Sequence, residues 1–495
     1  MSDEKESIHR DSLSVSKGPA LEVDDQFAVR LPESLANLTE AEREAVAKSG
    51  TRKVDIMLIP GHLSSAKVAG LAADLGLTTQ QYNTCVSVLF AGYVALQIPS
   101  NMIVGKITRP GIYICCNAAL WGVVSACTGA VQSYEGLAVC RVMLGVVEAA
   151  FFPGAIFLVS LFYPRRQMAL RAAAFYTGSQ VGNAFGGLFA IGILKLDGKH
   201  GLEGWRWLFI VEGAMTFGVA VICAFILPNR PDTVRWLTPV ERDMLMWRLE
   251  VDRGTKDEND TVPIGRALKM ALADVSPSHL FSLTSQPKTW LLCLTLQFAF
   301  IAATVTNFFP IVSEGLGFDR TTTLAITAPP YIICAIGLLI DGFSSDRFKN
   351  RSYHIVVPMC FTLVGNIIAV STTAIAPRYF AMCLLPVGFY CASTIILSWV
   401  GDNLTGPSSK RAIVYAILNA FAQIPNIWSS YLYYSPPRFV TAFIVDLAAS
   451  AAAIAMAFVT RWYLKRENRK MDEGEDLGPS GPSEVQLEAG FRYQL

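Results

Sequence analysis

The stretch "LAVCRVMLGVVEAAFFPGAIFLVSLF", residues 137–162, carries two ionisable side chains, Arg141 and Glu148, in 26 residues. A bilayer's hydrocarbon core takes roughly 20 mostly apolar residues per helical span. A helix satisfies its own backbone polar groups there, and an open strand does not. The stretch therefore reads as a helix inside a membrane. Working outward from it, apolar runs separated by charge-bearing breaks fall near 82–105, 111–132, 136–160, 169–194, 205–227, 289–312, 322–341, 353–374, 379–400, 411–434 and 439–463. The expectation is an all-α polytopic membrane protein with eleven spans. The composition agrees, with 52% apolar and 16% charged residues against roughly a quarter charged in soluble proteins.

A net charge of +1 gives no reason to expect nucleic acid as a partner. All eleven cysteines fall inside the expected spans, where they behave as small apolar residues, so neither a disulfide framework nor a metal site is expected. Nothing in the chain has the form of a nucleotide-binding loop, a metal cluster or a nucleophile–His–acid set. Neither a cofactor nor an enzyme is expected.

Basic residues gather in one set of loops: Lys106 and Arg109; Arg165, Arg166 and Arg171; Arg347, Lys349 and Arg351; Lys410 and Arg411; Arg461, Lys465 and Arg466. The other loops hold fewer, namely Lys195, Lys199, Arg206, Arg320, Arg378 and Arg438. Positive-inside bias makes the first set, and with it the C-terminus, cytosolic. Lys48, Arg52 and Lys53 place the N-terminal tail on the same side, which an odd number of spans forbids. A span missing between Pro60 and Gly61, where "VDIMLIP" stops, resolves the conflict. The organisation is then a disordered cytosolic tail (1–53), a membrane half with five spans (54–227), a cytosolic connector (228–288), a membrane half with six spans (289–463) and a cytosolic tail (464–495). Within the connector, Thr238-Pro-Val-Glu241 is a capping-box pattern that predicts a short amphipathic helix to about Val251. Two such halves joined by a long loop are the layout of the major facilitator fold, here with its first helix absent.

Arg141 and Glu148 lie seven residues apart, two turns and roughly 10 Å along one helix face. Each costs about 2.5–3.5 kcal/mol to insert, so both should face the bundle interior. Two uses compete: an internal charge pair that clamps helices, or Arg141 holding an anionic substrate while Glu148, poorly solvated, takes up and releases a proton. Gly178, Gly182 and Gly186, four apart, form a small-residue stripe suited to helix packing. Amides in a span bond across helices or to cargo, which makes Gln180, Asn183, Asn307, Asn419, Gln423 and Asn426 either packing or cavity-lining residues. Pro329-Pro330 and Pro425 should kink their helices, in a gate or in a static bundle. Six residues separate Arg206 from Glu212, which puts them on opposed faces. Asp446 reads as a structural hydrogen bond or a second coupling acid.

Taken together, "QIPSN" (97–101), "RVMLGVVEAAFFPG" (141–154), "FYPRR" (162–166), "GWRWLFIVEG" (204–213), "WLTPVER" (236–242) and "DGFSSDRFKNR" (341–351) resemble the anion:cation symporter branch of the major facilitator superfamily. The likeness covers about 50–465 and is nearest to fungal allantoate, nicotinate, biotin and pantothenate permeases. It implies twelve spans and proton-coupled movement of a small carboxylate, with Arg141 recognising the anion, Glu148 coupling the proton and Tyr93 reaching the substrate. The family's first helix and its Asp-Arg pair are absent, and Gln97 stands where many fungal members carry Glu. "GKITRPG" (105–111) is a decayed copy of the inter-helix gating motif better kept at Gly342, Asp346 and Arg347.

The leading expectation is a monomeric plasma-membrane uptake permease for a small organic anion, with protons and the lipid bilayer as its other partners. Export of a fungal metabolite is the alternative within the class. A truncated, non-transporting product or a receptor is the alternative outside it.

Overall fold

The computed structural model describes residues 32–36, 38, 39, 41–47, 49, 71–164, 167–234, 236–253, 288–308, 320–403, 408–433, 438–475, 482, 487 and 491–495. The break expected at Pro60–Gly61, and all of 54–70, lie outside the described residues. Long helices account for the membrane part: α1 (Thr79–Val104), α2 (Pro110–Thr128), α3 (Tyr134–Glu148), α4 (Phe151–Phe162), α5 (Met168–Leu194) and α6 (Gly204–Ile226). After α7 (Pro239–Arg253) in the connector come α8 (Lys288–Ala302), α9 (Arg320–Ile326), α10 (Ala328–Phe348), α11 (Tyr353–Ser371), α12 (Ile375–Asn403), α13 (Ser408–Gln423) and α14 (Val440–Asp472).

The eleven-span expectation is not matched in full. Among the described residues eight helical segments are long and apolar enough to cross a membrane: Gln80–Val104, Pro110–Thr128, Tyr134–Phe162, Gly204–Ile226, Thr322–Phe348, Tyr353–Ser371, Ile375–Asn403 and Val440–Asp472. The shortfall has local causes. α8 stops at Ala302 and passes into a 3-10 turn at Thr304–Phe308. α13 ends at Gln423, before the short helix opened by Pro425. α5 has the length but dilutes its apolar side chains with Gly178, Gln180, Gly182 and Asn183.

Each start and break has a chemical reason. Thr78 and Gln81 close a reciprocal capping box on α1, and Ser133 caps α3 through the Gly136 N–H. α3 and α4 form one apolar rod interrupted at Ala149–Ala150. Pro153 has no N–H to return to Ala149, which opens the ladder there. Thr327, ahead of Pro329-Pro330, likewise divides α9 from α10.

Contact between helices depends on missing side chains. α1 crosses α3 at Gly145, where a Cβ would run into the Leu89 carbonyl oxygen. α2 crosses α6 at Gly213, where a Cβ would lie 2.5 Å from the Gly122 carbonyl oxygen. Further along the chain, α11 packs on α12 and α8 on α14, while α5 meets α10 and α1 meets α13. The starts of α2, α5 and α11 and the ends of α6, α10 and α12 share one end of the bundle, tied by Ile112 N–H to Asn229 Oδ1 (3.2 Å) and Leu170 N–H to Asp346 Oδ2 (3.0 Å). This basic end carries α7, capped by Thr238 and Glu241. Leu237, Leu245 and Leu249 lie against Phe157, Leu161 and Phe162 of α4.

Candidate transport site

A cavity of about 400 Å³ opens among α2, α3, α4, α5 and α6, with Leu89 of α1 at its edge. Its wall is mostly apolar and aromatic, and it is broken by Arg141, Glu148 and Glu212. The seven-residue spacing thus does what a helix dictates and turns Arg141 and Glu148 to the same space. They form no salt bridge with each other; the Arg141 guanidinium sits over the Phe209 ring, 5.5 Å from its centroid. Arg206 does not serve Glu212. It pairs with Glu203 and donates to the carbonyls of Gly129 (3.0 Å) and Val131 (2.6 Å), closing the end opposite the basic one. Of the glycine stripe, Gly182 and Gly186 line the cavity. α5 approaches a neighbour closely at Gly187, where a Cβ would lie 2.8 Å from the Leu324 carbonyl oxygen.

A second polar cluster lies in the seam between the two sets of helices. The Tyr93 hydroxyl of α1, 5% exposed, accepts from Asn419 Nδ2 of α13 at 3.1 Å and from Gln97 Nε2 at 3.3 Å. Tyr93 lies where α1 crosses α3 at Gly145, three residues before Glu148. On α5, Gln180 is fully buried facing the Tyr390 hydroxyl, with both amide atoms short of a well-formed hydrogen bond. Tyr176, one turn earlier, lies tilted against Tyr390 with ring centroids 6.3 Å apart.

The residues singled out from the sequence therefore divide. Arg141 and Glu148 meet at the cavity, and Tyr93, Asn419 and Gln180 gather at the seam. Gln423 is held within its own segment by Asn426 Nδ2 at 2.5 Å. Asn183 lies apart from the cavity wall, and the Asn307 side chain is outside the described residues. Tyr176, Tyr390 and the Gln97 amide were not proposed as site residues; Tyr176 is visible in retrospect as the residue four before Gln180 on the same face.

At the basic end, Asp346 links α10 to the start of α5 through the Leu170 N–H. Its other oxygen accepts from Arg351 Nη1 at 2.8 Å, and Arg351 Nε donates to Asp402 Oδ2 at 2.8 Å. Arg347, named with Gly342 and Asp346 in the gating motif, is exposed and has no salt bridge among the described residues. Arg351, 1% exposed, makes the ion pairs with Asp346 and Asp402. Burial works against the Arg351 charge, but Asp402 and Asp346 more than offset it and raise its pKa.

Asp446 is fully buried and accepts from Thr304 Oγ1 (2.9 Å) and Tyr433 OH (3.3 Å), which pins the turn after α8. Among the described residues no three His, Cys, Asp or Glu side chains are grouped to hold a metal.

The sequence matches the profile of the Major Facilitator Superfamily over residues 57–430. Among curated relatives, the major facilitator-type transporter hxnP of Emericella nidulans is 30% identical over 457 residues, covering 88% of each chain. The high-affinity nicotinic acid transporter of Saccharomyces cerevisiae is 30% identical over 458 residues, covering 88% of this chain and 82% of that one. Among solved structures, a bacterial homologue of the human lysosomal transporter Spinster, inward-facing and unoccupied, aligns with a TM-score of 0.57 at 16% identity. The match covers 87% of this chain and 99% of that one, a likeness of fold. With its helical bundle, its membrane-spanning segments and a family profile covering most of its length, the chain belongs to the Major Facilitator Superfamily of integral membrane transporters.

Proposed function

We propose that the protein is a secondary active transporter that takes up a small organic anion, a carboxylate or vitamin-like compound, together with a proton by alternating access. The observation that carries this reading is one cavity holding a cation and an acid of the same helix with no ion pair between them. An internal clamp would bring the two charges together. Held about two turns apart, they leave room for a carboxylate to take up the Arg141 charge while Glu148 exchanges a proton. A planar guanidinium suits a carboxylate through two parallel hydrogen bonds. The Tyr93–Asn419 contact closes the seam beside Glu148 and would break as the two sets of helices part.

In this reading, residues 54–227 and 289–463 are the two moving halves and 228–288 connects them on the cytosolic side. The basic end faces the cytosol with both tails, 1–53 and 464–495, and the membrane is the plasma membrane. Substrate contacts come from Arg141 at the cavity and from Tyr93, Gln180 and Asn419 at the seam, while Asn183, Asn307 and Gln423 would reach the substrate only after the helices move. Inter-half gating comes from Gly342, Asp346 and Arg347, with Arg351 carrying the charge pairing. The name of the nicotinic acid transporter among the relatives supports a small carboxylate as the cargo class.

The test is accumulation of a panel of radiolabelled monocarboxylates by cells expressing the chain, with and without a proton uncoupler. Uncoupler-sensitive accumulation of at least one carboxylate is expected. Accumulation that ignores the uncoupler sinks proton coupling, and lower cellular content than in control cells identifies an exporter.

A further inference from the structure

Residues 491–495, Phe-Arg-Tyr-Gln-Leu, lie across the basic end of the bundle. Tyr493 is 2% exposed, and its hydroxyl bonds Lys288 Nζ, at the first residue of α8, at 2.8 Å. The ammonium also lies 4.4 Å from the centroid of the tyrosine ring. The Asn468 amide of α14 grips the Tyr493 backbone twice: Tyr493 N–H donates to Oδ1 at 2.9 Å, and Nδ2 donates to the Tyr493 carbonyl at 2.8 Å.

Gln494 is held in the same way by α12. Its N–H donates to Asn403 Oδ1 at 3.0 Å, and its carbonyl accepts from Trp399 Nε1 at 2.7 Å. The Leu495 carbonyl accepts from the Ser352 N–H, just before α11, at 3.4 Å. Five consecutive residues therefore reach α8, α11, α12 and α14. Trp399 is fully buried, so losing the Gln494 carbonyl would strand a buried donor, a costlier outcome than losing an exposed bond.

The anchor points flank the charge network of the same end. Asp402, between Trp399 and Asn403, holds Arg351; Arg351 holds Asp346; and Asp346 accepts the Leu170 N–H of α5. We propose that residues 491–495 are a detachable clasp that fixes α8, α11, α12 and α14 as one block and thereby holds α10 closed against α5. Undocked, it leaves a cleft that takes the same peptide in trans, recognised by a buried aromatic hydroxyl facing Lys288 and by backbone pairing to two asparagine side chains.

Hydrogen exchange on the detergent-purified protein tests this, comparing the full chain with a deletion of 491–495. Deletion is expected to speed exchange at 346–352, at 399–403 and, across the seam, at 167–171 by about tenfold or more. Adding the peptide Phe-Arg-Tyr-Gln-Leu at millimolar concentration should restore protection, and the same peptide with alanine for tyrosine should not. Unchanged exchange at 167–171 and 346–352, or a rise that the peptide fails to reverse, overturns the proposal. If the deletion aggregates, Tyr493→Phe in the full chain keeps the ring and loses the Lys288 bond. Faster exchange at 491–495 and 346–352 supports the clasp, and wild-type exchange in both segments refutes it.

Discussion

Replacing Arg351 by methionine removes the cation shared by Asp346 and Asp402 while keeping most of the side-chain volume. Both ion pairs are 2.8 Å long, and the Arg351 and Asp402 side chains are each 1% exposed. At an effective dielectric of about 20, a unit pair at that separation attracts by roughly 6 kcal/mol before desolvation is counted. Most of this is offset by the cost of burying the charges. What the substitution exposes is the uncompensated Asp402, and breaking a buried pair from one side costs about 3–5 kcal/mol. At about 2.1 cal/mol/K of unfolding entropy per residue, a chain of 495 residues shifts by roughly 1 °C per kcal/mol, so the apparent melting temperature in detergent should fall by about 3–5 °C. Fluorescence-detected thermal unfolding measures it, with Arg347→Ala as the control, since that side chain is exposed and lies outside the network. Adding Asp402→Leu to Arg351→Met should recover much of the loss by removing the stranded charge. A fall for Arg347→Ala as large as for Arg351→Met refutes the assignment of the pairing to Arg351.

Glu148→Gln is expected to abolish concentrative uptake while substrate exchange across the membrane continues; equal loss of both in a counterflow assay would reduce Glu148 to a structural role. Arg141→Lys should not restore anion binding lost in Arg141→Ala, because an ammonium cannot hold a carboxylate through two parallel bonds, and wild-type apparent affinity in the lysine variant argues against that geometry. Gly145→Ala should cost about 1–3 kcal/mol by overpacking, since its Cβ meets the Leu89 carbonyl; unchanged folded yield and melting temperature would show that α1 and α3 can part freely. An epitope at the C-terminus should resist protease in sealed right-side-out cells, and its digestion overturns the cytosolic assignment of that end; protection of an N-terminal epitope as well, in a chain that transports, would require residues 54–77 to cross the membrane and would refute the missing first span.

Hydropathy located most of the helical rods because burial in lipid leaves a long unbroken signature, and Pro329-Pro330 and Pro425 marked two of their breaks, whereas the one at Ala149–Ala150 lies within a stretch that reads as one continuous span. The common face of Arg141 and Glu148 was legible for the same reason, since two turns of helix return a side chain to its starting direction. Where α8 stops was not legible. "AATVTNF" (302–308) stays apolar enough to continue a span, and the turn there is held by Asp446, 142 residues away, through Thr304. That Arg351, and not Arg347, reaches the two acids was not legible, because it depends on backbone geometry. Lys349 takes a left-handed conformation, φ 51°, which ends α10 and folds the chain back so that Arg351 meets Asp346 and Asp402. The docking of 491–495 had no local signal at all, because its partners are scattered over residues 288–468.

The interruption at Ala149–Ala150 turns one long rod into two bodies with separate attachments. The upper body carries both charged side chains and is fastened to α1 at Gly145, whereas the lower body is wedged between α13 and the underside of α7. The connector therefore bears on the lower body, and Arg141 and Glu148 lie beyond the joint from it. Changes in the Leu237, Leu245 and Leu249 facet should accordingly alter how fast the molecule cycles while leaving its grip on cargo untouched.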